Sequence, residues 1–120
     1  EQIALELCEK NKQPENDNQL IVRIQTYIDE HYGDPSLCLS RISDLFHISE
    51  SYFSFLFKKT VGVNFSTYLE QVRMTQAKHL LETTNIKITD LYVAVGYNNL
   101  TSFRRAFKKK YGVAPNALRE

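Results

Sequence analysis

The amino-acid sequence predicts an all-α protein built from two similar helical units. Apolar residues recur at helical spacing almost throughout from residue 18, and no segment alternates convincingly with the period of two that a strand shows. Residues 53–63 (FSFLFKKTVGV) and 103–113 (FRRAFKKKYGV) share the skeleton F-x-x-x-F-K-K-x-x-G-V. Hydrophobic residues make up 42% of the 120 residues, enough for one packed domain or two very small ones.

The N-terminal residues are predicted to lie outside the folded domain. Residues 11–19 (NKQPENDNQ) are polar, contain Pro14 and lack an apolar period, which is typical of a linker. Before them, residues 3–7 (IALEL) indicate a short helix. Residues 1–18 are therefore interpreted as a linker or the tail of an upstream domain, and residues 19–120 as the folded domain.

The first three helices of this domain are delimited by breaking and capping residues. The first ends at the sequence Gly33-Asp34-Pro35, the second is short and breaks at His47, and the third is capped by Ser49 and runs to Gly62. Apolar residues at helical spacing mark their buried sides: Leu20, Ile24, Tyr27, Ile28 and Tyr32 in the first, Leu39, Ile42, Leu45 and Phe46 in the second, and Tyr52, Phe53, Leu56 and Phe57 in the third.

A long fourth helix is predicted from Phe65 to Thr83, with Asn64 as its N-cap. Short elements then recur. A fifth helix breaks at Gly96, and Asn98 or Asn99 caps a sixth that runs to Gly112. Pro115 opens a final turn. The apolar residues of these short helices are Ile88, Leu91, Val95, Phe103 and Phe107.

The repeat has the form of a helix-turn-helix, whose second helix can lie in the major groove of DNA. The first copy is predicted at about residues 38–61, the linker helix at about 64–84 and the second copy at about 87–111. The linker helix of nineteen residues is about 28 Å long at 1.5 Å per residue. Successive major grooves on one face of DNA are about 34 Å apart. Two copies could therefore place two recognition helices in adjacent groove segments.

The charge of the chain is small but unevenly distributed. The net charge is +1. Residues 18–57 carry two arginines against five carboxylates, a net charge of −3. Residues 87–119 carry seven basic residues against Asp90 alone, a net charge of +6. A basic cluster on one end of the chain favours nucleic-acid contact, although such clusters are also found on solvated helix faces.

Longer stretches resemble the DNA-binding domain of the AraC/XylS family of bacterial transcription regulators. They are VGYNNLTSFRRAFKKKYGVAP followed by Arg119, SLCLSRISDLFHISESYFSFLFKKTVG, and the pattern F-x-x-Y-L-x-x-x-R-x-x-x-A-x-x-L-L from Phe65 to Leu81. The resemblance covers roughly residues 20–119. It implies about seven helices, two helix-turn-helix subdomains joined by the long helix, and a monomeric domain on an asymmetric DNA site.

The resemblance also implies the residues that read DNA bases. They are Ser51, Ser54 and Phe55 in the first recognition helix, and Leu100, Thr101, Ser102, Arg104 and Arg105 in the second. The helical period agrees in placing most of them opposite the buried phenylalanines. Phosphate contacts are predicted from the lysines at the helix ends and from backbone N–H groups near two helix N-termini. These residues are Lys58, Lys59, Lys108, Lys109, Ser40 and Thr89.

Four residues depart from the family pattern. Cys38 stands where a Ser or Thr cap is usual, and Tyr92 stands where a small Ala is usual. Phe55 often corresponds to a polar or basic residue, and Leu118 replaces a Tyr. Tyr92 is expected to spread or rotate the two helices of the second copy unless neighbouring alanines make room.

Other classes of function find less support in the sequence. The three histidines lack a catalytic spacing, and no glycine-rich phosphate loop is present, so no catalytic residues are predicted. No cofactor or metal is predicted either, because Cys8 and Cys38 lack a metal-binding spacing. The alternative is a helical protein-interaction module without DNA affinity. The expected partners are double-stranded promoter DNA, RNA polymerase and a missing upstream sensing or dimerisation domain. No membrane segment is expected, and the expected location is the cytoplasm.

Overall fold

The computed structural model describes residues 16–119. The helix predicted at residues 3–7 lies outside them. This part of the chain contains seven α-helices and no strand, which confirms the predicted all-α class. The helices are α1 (Asp17–His31), α2 (Leu39–Leu45), α3 (Glu50–Val61), α4 (Phe65–Thr83), α5 (Ile88–Ala94), α6 (Leu100–Tyr111) and α7 (Pro115–Arg119). None of the described helices is long and apolar enough to cross a membrane.

The first unit consists of α1, α2 and α3 around one apolar core. The core includes Ile21, Ile24 and Ile28 from α1 and Phe53 and Phe57 from α3. α1 begins two residues before the predicted domain boundary, because the side chain of its N-cap, Asn16, accepts a hydrogen bond from the backbone N–H of residue 19.

Two residues assigned to the buried side of the first unit are in fact exposed. The side chain of Tyr52 is 42% exposed, and its hydroxyl donates a hydrogen bond of 2.6 Å to Asp17 Oδ1. Leu45, in the last turn of α2, is 47% exposed. In both cases the apolar spacing includes a residue at the margin of the buried side, which the neighbouring helices leave uncovered.

The second unit consists of α5, α6 and α7 around a separate core. Leu91, Phe103 and Phe107 are fully buried there, and Leu118 packs against them from α7. Asn99 is the N-cap of α6, since its side chain accepts a hydrogen bond of 2.8 Å from the backbone N–H of residue 102.

The linker helix α4 contributes to both cores. Phe65 and Leu69 in its first half belong to the core of the first unit, whereas Met74, Ala77 and Leu81 belong to the core of the second. The helix spans Phe65–Thr83 and is capped by Asn64, as the sequence predicts. One rigid helix therefore carries both units.

The structure also bears on two of the departures from the family pattern. Cys38 is the N-cap of α2, but its side chain makes no capping hydrogen bond, which agrees with a weakly capped helix. Tyr92 is half-buried against the second core, while the corresponding Ser43 is buried and donates to the carbonyl of Leu39. The turn hydrogen bond is nevertheless the same in both units. It runs from the N–H of residue 48 to Ser43 O over 3.0 Å, and from the N–H of residue 97 to Tyr92 O over 2.9 Å.

Candidate nucleic-acid interface

The outer side of α3 presents two hydroxyls and one aromatic ring. Phe53, Leu56 and Phe57 turn into the core, and this orientation leaves the predicted base-reading residues of the helix exposed. They are Ser51, Ser54 and Phe55. The ring of Phe55 is 64% exposed, and burying so large an apolar side chain needs a binding partner.

The C-terminal turn of α3 carries Lys58 and Lys59, both exposed. The Nζ atom of Lys59 lies 5.7 Å from the ring centroid of Phe55, so the cation and the ring form one continuous surface. The helix then ends at Gly62, which has a φ of 99° and donates its N–H to the carbonyl of Lys58. The helix thus ends at the glycine where the sequence predicts its end, and this glycine has a left-handed backbone.

The outer side of α6 is more basic than that of α3. Phe103, Ala106 and Phe107 are buried, and the opposite side of the helix is exposed. That side carries Thr101, Ser102, Arg104, Arg105, Lys108 and Lys109. Gly112 ends the helix with a φ of 78°, in the same way as Gly62 ends α3.

Leu100 differs from the other predicted base-reading residues. It is half-buried and packs against the core of the second unit at the start of α6. Part of the Leu100 side chain is thus buried against the core of the second unit. Its contact with bases stays a prediction. The remaining predicted base-reading residues are all exposed.

Ser40 and Thr89 lie at equivalent places in the first turns of α2 and α5, and both are exposed. The hydroxyl of Ser40 lies 3.3 Å from Cys38 Sγ, and this hydrogen bond lowers the pKa of the thiol. Ser40 therefore lies at the start of α2, which precedes α3, and Thr89 lies at the start of α5, which precedes α6.

The exposed sides of α6 and of the first unit differ in charge. The last turn of α6 contains Lys108, Lys109 and Lys110, all exposed, and Arg104 and Arg105 lie one turn before them. On the first unit the acidic residues Asp44 and Glu50 are exposed near the start of α3. An anionic backbone would therefore be attracted more strongly to the second unit than to the first.

Comparison with known proteins decides the family. A family model described as a helix-turn-helix domain matches residues 42–120. The C-terminal domain of the two-component response regulator yesN from Fusobacterium nucleatum has the same fold, with a TM-score of 0.80 and 39% identity over 82% of this chain and 96% of that one. The chain belongs to the AraC family of helix-turn-helix transcription regulators.

A longer regulatory protein and a domain solved on DNA are also similar to this chain. The arabinose operon regulatory protein of Escherichia coli is 30% identical over 115 residues, which are 96% of this chain but 39% of that protein. The chain spans 53% of the length of the bifunctional transcriptional activator/DNA repair enzyme AdaA of Bacillus subtilis, to which it is 33% identical over 94% of its own length. The DNA-binding domain of AdpA, solved in complex with a target DNA, shares the fold at 21% identity, with a TM-score of 0.78 over 82% of this chain and 88% of that one.

Two residues of this AraC-type domain were not singled out in the sequence as functional. Lys110 extends the basic end of α6, with its Nζ atom 5.6 Å from the centroid of the Tyr111 ring. The run KKK at residues 108–110 was a sufficient signal for it. Arg73 lies half-buried in the middle of α4 and contacts both units. No spacing rule in the sequence reveals that contact, because the partners lie far away along the chain.

Proposed function

We propose that this domain binds double-stranded DNA sequence-specifically, with α3 and α6 in successive major-groove segments. The observation that carries this proposal is the repeated design of the two helices. Each has a fully buried pair of phenylalanines and an exposed side that carries polar residues, with two lysines in the last turn of α3 and three in that of α6. The helix α4, about 28 Å long, holds them a distance apart that suits adjacent grooves. The fold shared with a domain solved on its target DNA supports DNA binding by this chain.

The side chains suggest how the roles are divided. Arg104 and Arg105 each offer a fork of donors that fits the acceptors of a guanine edge. Phe55 can contact thymine methyl groups, and the serine and threonine hydroxyls can pair with more than one base. The lysines suit phosphates, which fix the register of the protein without reading sequence. Ser40 and Thr89 remain predicted phosphate contacts at the starts of α2 and α5.

The proposal also covers the other domains and the partners of the whole regulator. The longer relatives support an upstream sensing or dimerisation domain in the whole regulator. The exposed carboxylates Asp44 and Glu50 favour a protein contact, such as RNA polymerase, over a phosphate contact on that side of the first unit. The proposed role is binding rather than catalysis, in the cytoplasm.

The test is the dependence of DNA affinity on salt. Fluorescence-anisotropy titrations of a labelled duplex are made at several salt concentrations. For about 4–6 phosphate contacts, log K against log salt should fall with a slope of roughly −4 to −5. The double variant Lys108→Ala/Lys109→Ala should reduce the slope by about two.

Arg23→Ala is the matched control for loss of positive charge. Arg23 lies on α1, outside both recognition helices, with its guanidinium carbon 5.3 Å from the centroid of the Phe46 ring. The slope of this variant should equal that of the unchanged chain. A flat slope for the unchanged chain would remove DNA binding and leave the helical protein-interaction module as the function.

A further inference from the structure

Arg73 of the linker helix reaches the turn that follows α1. Its Nε atom donates a hydrogen bond of 2.9 Å to the carbonyl of Tyr32, and Nη2 donates one of 3.0 Å to the carbonyl of Asp34. Burial lowers the pKa of this guanidinium. A half-buried cation on a helix that otherwise packs through apolar residues carries a desolvation cost, which the two carbonyl contacts offset.

The same guanidinium contacts the turn of the second unit. Its carbon Cζ lies 5.7 Å from the ring centroid of Tyr97, which follows the turn residue Gly96. The Tyr97 ring in turn packs edge-on against Phe103 of α6, with centroids 5.7 Å apart. Arg73 is therefore connected through one ring to the buried anchor of the second recognition helix.

The backbones of the two units approach each other closely beside Arg73. A Cβ atom on Gly96 would lie 2.5 Å from the carbonyl oxygen of Tyr32, and one on Gly33 would lie 2.8 Å from the carbonyl oxygen of Ala94. Both distances are shorter than any contact that a real Cβ makes. Tyr32 also packs against both cores. The units thus touch directly at the two turns, where Arg73 is placed.

The turn after α1 is fixed to the first helix-turn-helix as well. The carboxylate of Asp34 accepts hydrogen bonds of 2.9 and 2.8 Å from the backbone N–H and the hydroxyl of Ser36. It also pairs with Arg41 Nη1 of α2 over 2.9 Å. A continuous series of polar and aromatic contacts consequently runs from α2 through Asp34 and Arg73 to Tyr97 and α6.

We propose that Arg73 is the positioning residue that fixes the rotation of α6 relative to α3, and so sets the spacing between the two half-sites that the domain reads. The part that concerns DNA rests on the proposed function. The length of α4 sets the separation of the units, but apolar packing along it is not directional. A planar guanidinium with two carbonyl acceptors on one unit and a ring on the other permits one relative orientation.

The spacing preference is tested by selection from a duplex library with randomised half-sites separated by spacers of variable length. The unchanged chain should enrich one spacing. Arg73→Met should enrich the same half-site sequences at neighbouring spacings too, with the preference for the best spacing reduced by about tenfold or more, because two hydrogen bonds from a charged group are lost. A single unchanged spacing in Arg73→Met would overturn the proposal.

A measurement without DNA separates this proposal from the proposed function. Spin labels at Lys59→Cys and Lys109→Cys, with Cys8 and Cys38 replaced by serine, report the distance between the ends of α3 and α6 by pulsed electron resonance. We expect one narrow distribution in the otherwise unchanged chain and a broad one in Arg73→Met. Equal widths would refute the positioning role even if DNA binding is observed, and a broadened distribution supports it even if DNA does not bind.

Two further variants sharpen the distance measurement. Lys78→Met is the matched control, because Lys78 is also on α4 but its Nζ atom lies over the Tyr111 ring of the second unit, 5.2 Å from the centroid. Lys78→Met should leave the distance distribution narrow.

Gly33→Ala adds a methyl group against the carbonyl of Ala94 and should shift the mean distance between the spin labels while Arg73 is intact. If Arg73→Met does not fold, Arg73→Lys and Gly33→Ala decide the question: unchanged distributions in both would contradict the proposal.

Discussion

His47 and Gly96 occupy the same position in the two helix-turn-helix turns, and both have a left-handed backbone, with φ values of 58° and 95°. Each follows the C-cap residue of the short helix, and each lies just before the residue whose N–H closes the turn. The two turns thus have the same shape but carry residues of very different conformational freedom. A left-handed conformation costs an L-residue with a Cβ about 1–2 kcal/mol.

Substitutions at these two turn residues should have opposite effects on the free energy of unfolding. His47→Gly should raise the free energy of unfolding by about 0.5 kcal/mol, because relief of the left-handed backbone exceeds the entropy cost of glycine. Gly96→Ala should lower it by about 2 kcal/mol or more, since the added Cβ would lie 2.5 Å from the carbonyl of Tyr32. Urea unfolding at equilibrium measures both changes. A stabilised Gly96→Ala variant would contradict the close contact between the two units.

Tyr92 should contribute to the packing of the second unit. Its ring is half-buried against that core, so Tyr92→Ala should cost about 1–2 kcal/mol, less than the 3–5 kcal/mol typical of a fully buried aromatic residue. Val93→Ala is the control, because this neighbour is 58% exposed and should change stability by less than about 0.5 kcal/mol. Thermal unfolding followed by circular dichroism compares the two. Equal effects would mean that the Tyr92 ring does not pack.

The second unit should dominate specific DNA binding. Arg105→Ala should lose roughly 1–3 kcal/mol on the preferred site and relax the preference at one or two base pairs, because a two-donor contact to guanine is lost. Lys108→Ala should weaken all sequences alike and lower the salt slope by about one. Ser54→Ala should have a smaller effect than either change.

A binding selection on randomised DNA with these three variants distinguishes the roles of the units. The expected result is an altered motif for Arg105→Ala and unchanged motifs for the other two. If Ser54→Ala erased the preference while Arg105→Ala preserved it, the first unit would be the reader and the assignment would have to be reversed.

The turn after α1 should lose stability in acid. The hydrogen bond from the backbone N–H of Ser36 is the main cause that lowers the pKa of Asp34 below its ordinary value of 3.8, followed by the Ser36 hydroxyl. Asp34 therefore binds its proton more weakly in the folded chain than in the unfolded one. Its stabilising contribution is present above pH 3.8 and is lost as the pH falls through the lowered folded-state value.

Asp34→Asn is the variant that isolates this contribution. Urea unfolding should show the unchanged chain as more stable than Asp34→Asn at about pH 6, with the difference shrinking towards about pH 3 and below. A difference that stays constant over this range would show that the pKa of Asp34 is not lowered in the folded chain.

Much of this fold could be predicted from the sequence, because helix formation depends on nearby residues. Asn64, Gly62 and Gly112 act within one turn of themselves, so their places at the helix ends were visible in the sequence and are confirmed. Of the two candidates Asn98 and Asn99, the structure selects Asn99 as the N-cap of α6. The paired phenylalanines of α3 and α6 defined the buried sides of these helices, and thereby the exposed sides that carry most of the predicted DNA contacts.

The sequence was less informative about partly exposed residues. Tyr52 and Leu45 satisfied the apolar period yet are exposed, and Leu100 was predicted to face bases but is half-buried. Periodicity gives the direction of a side chain around its own helix. It does not give how far the neighbouring helix extends, and that extent decides whether a side chain at the margin of the stripe is covered.

The sequence by itself determined the first six helices, the repeat and the basic character of the second unit, since each depends on residues close together in the chain. Only the tertiary structure decided how the two units are joined. Arg73 contacts the carbonyls of Tyr32 and Asp34, about forty positions away, and the ring of Tyr97. Gly96 leaves room for the guanidinium, since a Cβ there would lie 2.9 Å from Arg73 Nε. The two hydrogen bonds from Arg73 go to backbone carbonyls, which every residue carries. No side-chain pattern in the sequence could therefore reveal them.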